Sequence, residues 1–168
     1  MHNFAISLDG YAAGAPQDLE NPMGAGGAGL HEWVFATRYG RQMQGLDGGT
    51  TGLDDGFLAE GDKGIGATIM ERIMFGPHRG PWNSNEWTGW WGDEPPYHHP
   101  VFVRTHHPRP SIDMRGGTVF HFVDDGIEAV LERACNSANG GDVRLGGGAV
   151  EFVGSESVAH IRFARAKP

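Results

Sequence analysis

The chain has 168 residues, of which 39% are hydrophobic, 20% are charged and 28 are glycine. That length fits one domain with a substantial core, and a formal net charge of −8 argues against nonspecific binding to nucleic acid or to an anionic membrane surface. The one cysteine, Cys135, excludes an intrachain disulfide framework; with no signal-peptide pattern and no apolar run of about 18 residues, a cytoplasmic protein is expected.

From the N-terminus, FAISL (Phe4–Leu8) reads as a short buried strand ending at a turn, Asp9 and Gly10. After a loop rich in Gly, Pro and Asn, LHEWVFATRYG predicts a helix. Leu30, Trp33 and Val34 share one face there, and Gly40 is its expected stop. A polar Gly-rich loop and a short helical piece at Gly56–Glu60 come next. GATIM (Gly66–Met70) is a strand that runs directly into ERIMFG. The long loop from Pro77 to Pro100 carries Trp82, Trp87, Trp90 and Trp91. Loops of this length are usually functional or packed by their own side chains.

Val101–Thr105 and Thr118–Val123 are the next two strands. The clearest helix follows. Asp125 and Glu128 have capping-box spacing, Ile127, Val130, Leu131, Ala134 and Ala138 form an apolar stripe, and Gly140 is a good stop. DVRL is a strand leading into three glycines, and VEFVGSESVAHIRFARA reads as two strands around a turn. Helices interleaved with short apolar strands predict one α/β domain. Its sheet is mainly parallel and is finished by an antiparallel hairpin.

Several features could carry chemistry. GAGGAG (Gly24–Gly29) matches a dinucleotide fingerprint by letter, but QDLENPM before it is no strand, so a loop is the simpler reading. RLGGGA has a strand leading in. Its glycines could bring backbone N–H groups to an anion or could simply make a tight turn. Histidine pairs stand at His98–His99 and His106–His107. Neighbours in a strand-like chain point apart, and no metal-ligand spacing is present, so no metal site is expected. Arg72 follows GATIM, where a guanidinium suits a phosphate or pairs with a nearby acid. The Trp-rich loop could stack on a planar ligand or form a small core of its own.

Taken in order, ISLDGYAAG, LHEWVFATR, ATIMERIMFG, WWGDEPPYHHPVFVRTHHPR, GGTVFHFVDDGIEAVLERA and DVRLGGGA resemble the bacterial dihydrofolate reductase-like family. The kinship is to the C-terminal reductase domain of the bifunctional riboflavin-biosynthesis deaminase/reductase, and the likeness covers nearly the whole chain. It implies a three-layer α/β/α fold and NADPH binding at the C-terminal edge of the sheet. The Arg72 segment and RTHH (Arg104–His107, with Thr105 and His106 inside it) match the parts that hold the 2′-phosphate end. Gly146, Gly147, Gly148 and Ala149 match the pyrophosphate loop, and Gly10, Tyr11 and Ala12 the segment beside the nicotinamide. Trp33 lies on the substrate-facing helix, and Asp9 or Glu32 could assist protonation. The implied reaction is NADPH-dependent reduction of a pterin- or pyrimidine-like small molecule. Family members are commonly homodimers.

Two departures from the family pattern stand out. Glu71 occupies a position usually held by Gly, beside the expected phosphate site. After GGGA, a helix and a strand are missing, and the chain passes directly from Ala149 into the final hairpin. The glycine loop would then lack a helix N-terminus, which weakens anion binding. A noncatalytic binding or interaction module is the alternative.

Overall fold

The computed structural model describes residues 11, 13–77, 79–82 and 86–146. Strands β1 (Ile65–Glu71), β2 (Pro100–Arg104), β3 (Ile112–Asp113), β4 (Val119–Val123) and β5 (Asp142–Gly146) form one sheet in the order β3-β4-β2-β1-β5. The pairs β4–β2, β2–β1 and β1–β5 are parallel, and β3 alone is antiparallel, against β4. The two-residue β3 has no counterpart in the sequence reading. The antiparallel hairpin expected near the C-terminus, the strand at Phe4–Leu8 and the junction after Ala149 lie outside the described residues.

Alternation along the strands divides the core in two. Ala67 and Ile69 of β1, Phe102 of β2 and Val123 of β4 face helix α5 (Ile127–Ser137). Val130, Ala134 and Ala138 meet them, and Val143 packs at the margin. Each large apolar side chain buried this way contributes about 1.5–3 kcal/mol. On the opposite face, Met70, Val101, Val103, Phe120 and Phe122 pack against the one-turn helix α4 (Arg72–Phe75) and Trp82, Trp87 and Trp91 of the long loop. Trp82, Trp87 and Trp91 of the loop therefore cover the sheet core on this face.

Three further helices precede the sheet: α1 (Glu32–Ala36), α2 (Arg38–Gln42) and α3 (Leu53–Asp62). The helix expected through Gly40 is thus two helices, entered through a 3-10 turn at Gly27–His31. The break falls at Thr37. Its backbone is extended and bridges to Thr50, and its hydroxyl caps α2 by accepting from the Gly40 N–H. Asp55 of α3 secures the same end by accepting from the Tyr39 N–H at 2.7 Å and from Arg38 at 2.9 Å.

Gly40 is therefore no helix stop; it lies inside α2, pressed on the preceding helix. A Cβ there would stand 2.0 Å from the Val34 carbonyl oxygen. Alanine in a helix interior normally stabilises by about 1 kcal/mol over glycine. Here Gly40→Ala should instead destabilise by about 2 kcal/mol, because α1 and α2 must separate. Urea denaturation reads the sign directly, and a stabilised variant would contradict the close packing. GAGGAG likewise serves the backbone. Gly24 has φ +71°, and a Cβ on it would sit 2.0 Å from the Gly14 carbonyl oxygen. No strand precedes it among the described residues.

Helix α5 departs from expectation at its start. Gly126 occupies the N-cap with no side-chain cap. The Asp125 carboxylate instead accepts from Arg133 at 2.7 Å, so the capping box does not form. Ile127 and Leu131 of the predicted stripe stay largely exposed, while the rest of the stripe is buried. No described helix is long and apolar enough to cross a membrane.

Candidate functional site

Register aligns the carboxyl ends of the parallel strands. Glu71 pairs with Arg104, Arg104 with Val123, and Met70 with Gly146. The residues just beyond these ends enclose a cleft of about 440 Å³. Glu71, Arg72 and Ile73 line it from β1 and α4. Arg79 and Gly80 come from the long loop, Arg104 to His107 from the end of β2, and Val123 to Asp125 from the end of β4. This edge of a parallel sheet is where α/β domains characteristically hold ligands. Three arginines balance three carboxylates here, in a chain whose net charge is −8. The cleft is thus locally richer in positive charge than the molecule as a whole.

Thr105 organises the turn after β2. It is buried, and its N–H donates to the Val123 carbonyl at 2.9 Å. Its hydroxyl oxygen accepts from the His107 N–H at 3.1 Å and from Arg72 Nη1 at 3.2 Å. Arg72 Nη1 also donates to the Gly80 carbonyl at 3.2 Å. One guanidinium nitrogen thus ties the long loop to the end of β2.

The Arg72 guanidinium lies 3.2 Å from the centre of a Trp82 ring, and Arg109 approaches Trp82 at 4.1 Å and Phe122 at 4.3 Å. Such stacking is favourable by about 0.5–2 kcal/mol per pair. Trp82 in turn donates its indole N–H to the His107 carbonyl. Arg109 donates to the Trp87 carbonyl, which fastens the loop from beneath. Neither guanidinium meets a carboxylate among the described residues. Arg72 Nε and Nη2 and Arg109 Nε and Nη1 are sealed from solvent and have no hydrogen-bond partner among the described residues. Burial pushes the Arg72 guanidinium below its ordinary pKa; at Arg109 burial acts first and the nearby Arg72 charge adds to it.

The sequence-expected site residues fall into three groups. Arg72, Thr105 and His106 line the cleft. Gly146 ends β5 beside Met70 on the same sheet edge, and a Cβ there would stand 3.1 Å from Met74 Sδ. Glu32 and Trp33 sit exposed on α1, and exposed Tyr11 precedes them; none lines the cleft. Asp9, Gly10, Ala12, Gly147, Gly148 and Ala149 lie outside the described residues. Arg104 and His107, the ends of the expected segment, line the cleft too, whereas Arg79 and Arg109 were not singled out from the sequence. The signal for Arg109 was an arginine held between two prolines.

A second polar group lies against β5 and its neighbour β1. Tyr39 donates to Asp62 at 2.6 Å, Asp62 pairs with Arg144, and Arg144 also reaches the Gly61 carbonyl at 2.8 Å. Thr68 and His99 bond at 2.8 Å. Burial raises the Tyr39 phenol pKa, helped by Asp62, and lowers that of His99, helped by Arg144. These bonds join α2 and α3 to the sheet. His98 turns away from His99 to the Gly116 carbonyl at 2.8 Å. Among the described residues, no group of three potential ligands is placed to hold a metal ion.

No protein-family model matches the chain, and no curated protein matches it. The fold and the site together define an α/β domain with a five-stranded, mostly parallel sheet and a charged cleft at its carboxyl edge.

Proposed function

We propose that this domain binds NADPH in the carboxyl-edge cleft and reduces a pterin- or pyrimidine-like small molecule, in the manner of the dihydrofolate reductase-like family and its riboflavin-pathway branch. The observation that carries the reading is a cleft at the ends of parallel strands lined by two exposed arginines, Arg79 and Arg104, beside the stacked Arg72. Arginine suits a phosphate because its charge is permanent and its N–H groups form a planar fork. The cleft also has the volume of a small-molecule site. When bound, the cofactor supplies the hydride. The chain itself would bind, orient and exclude water.

The placement of Glu32 and Trp33 outside the cleft favours a second reading, a nucleotide-binding module without turnover. One pair of measurements separates the two. NADPH oxidation is followed with a panel of pterins and pyrimidines, and the thermal transition is recorded with and without NADPH. Oxidation dependent on one panel member supports the reductase. A thermal shift without oxidation supports the binding module. Neither effect at millimolar NADPH would overturn both.

A further inference from the structure

We propose that Asn139 is a site of spontaneous covalent modification, at which the backbone nitrogen of Gly140 displaces ammonia from the side-chain amide and the product weakens the closure of α5. The proposal stands apart from the nucleotide reading above, because it concerns the turn between α5 and β5 and not the cleft.

Asn139 is the one asparagine of the chain that precedes a glycine. A glycine nitrogen is the least hindered nucleophile that a following residue can offer, since no side chain shields it. The reaction also needs an N–H that can give up its proton. Asn21 is followed by Pro22, which has none, and Asn136 lies inside α5, where helical bonds hold the backbone.

Asn139 and Gly140 follow the C-cap Ala138 as consecutive left-handed residues, at φ 50° and φ 83°. Asparagine tolerates that backbone better than most residues, which accounts for its place at the helix end. Both residues are exposed. A Cβ built on Gly140 would meet nothing within 4 Å, so the approach to its nitrogen is open. The N–H groups of Ala138, Gly141 and Asp142 donate to the carbonyls of Ala134, Ala138 and Gly64 at 2.9, 2.8 and 2.7 Å. The Gly140 N–H makes no backbone hydrogen bond among the described residues, so its proton is the least held in the turn.

The step needs no oxidant or reductant. The Gly140 nitrogen forms a bond to the side-chain carbonyl carbon of Asn139. The bond from that carbon to the amide nitrogen breaks, and ammonia leaves with the proton from Gly140. Water then opens the cyclic imide at either carbonyl, giving aspartate or isoaspartate at position 139. Both products put a carboxylate at the negative end of the α5 dipole, where it is repelled. Isoaspartate also adds a methylene to the main chain, and the turn has little room for it. A Cβ on Gly66 would stand 2.1 Å from the Ala138 carbonyl oxygen, and one on Gly141 would stand 2.8 Å from that of Gly64. Modification therefore loosens the end of α5 from the start of β1.

The test ages the full chain at physiological temperature in mildly alkaline buffer. It follows ammonia release, isoaspartate by enzymatic carboxyl methylation, and the tryptic peptide ACNSANGGDVR (Ala134–Arg144) by fragmentation mass spectrometry. Wild type should accumulate isoaspartate at position 139, faster as pH rises, and Asn139→Gln should lose the signal. Asn139→Asp reproduces one product and should lower the unfolding temperature by about 1–3 °C. The chain unfolded in urea is the control for intrinsic reactivity. Isoaspartate at 139 in urea but none in the folded chain would overturn the proposal, because the fold would then protect the site. So would isoaspartate confined to the exposed Asp47–Gly48 pair, or an unfolding temperature unchanged by Asn139→Asp.

Discussion

Replacing Phe75 with alanine is expected to destabilise the domain by about 3–5 kcal/mol, the usual cost of emptying a fully buried aromatic site. Phe75 has no exposed surface. Its ring meets Phe120 and Phe122 edge-on with centroids 5.0 Å away in each case, and Trp82 at 5.9 Å. Arg109 stands 5.4 Å above it. The backbone carbonyl of Phe75 also accepts the Trp87 indole N–H at 3.0 Å. The residue thus joins α4, strand β4 and the long loop at one point. Truncation leaves a cavity that these large rings cannot close without moving the loop, and it removes one of the aromatic faces around a buried cation.

Urea denaturation measures the loss, and near-ultraviolet circular dichroism reports the aromatic packing. Leu53→Ala is the control. Leu53 is 76% exposed, so its change should stay within about 0.5 kcal/mol. A Phe75→Ala loss below about 1 kcal/mol would mean that the loop does not rest on this ring.

Glu71→Gly should tighten NADPH binding about five-fold. Glu71 closes β1 directly before Arg72, stands in register with Arg104, and lines the cleft. A carboxylate among three arginines lowers the local potential that a phosphate meets. At a few ångströms, near the protein surface, its removal is worth about 1 kcal/mol to an anion. The backbone at Glu71 is extended, at φ −79° and ψ 155°, so glycine is tolerated there without strain. The side chain makes no capping bond to α4. The gain should shrink as salt is raised, because the cleft is open to solvent. Calorimetric titration of NADPH at two ionic strengths checks both statements, and equal or weaker affinity for the variant would reject the repulsion.

The sheet was legible in the sequence because its strands are short apolar runs bounded by polar or turn residues. GATIM, VFVRT, TVFHFV and DVRL each fall on a strand to within about two residues. The parallel arrangement followed from the helices between them. What was lost depends on contacts distant in sequence. The break at Thr37 needs Thr50 and Asp55, which lie across a glycine-rich loop. Helix α3 is longer than the short piece expected because Gly56 and Gly61 dilute its helical pattern. The capping box failed because Gly126, not Asp125, occupies the N-cap, and the Asp125 carboxylate pairs with Arg133 instead.

Part of the candidate site was legible as well. Arg72, Thr105 and His106 were marked as neighbours, and the cleft brings them together. The sequence could not show that the guanidinium of Arg72 is covered by Trp82, since that stack joins a strand end to a loop ten residues away. Nor could it show Arg109 beneath the same ring, which depends on how the long loop folds back on the sheet. Trp82, Trp87 and Trp91 pin the loop by packing on the sheet core, so the expected core is shared with the sheet and is not the loop's own.

The most direct test of a nucleotide site at the carboxyl edge is hydrogen–deuterium exchange of the full chain with and without millimolar NADPH. Slowed exchange in residues 71–73, 79–82, 104–107 and 123–125 is the expected result, with α5 beyond its first turn unchanged. Protection confined to residues 32–42, or no protection anywhere in the chain, would contradict it.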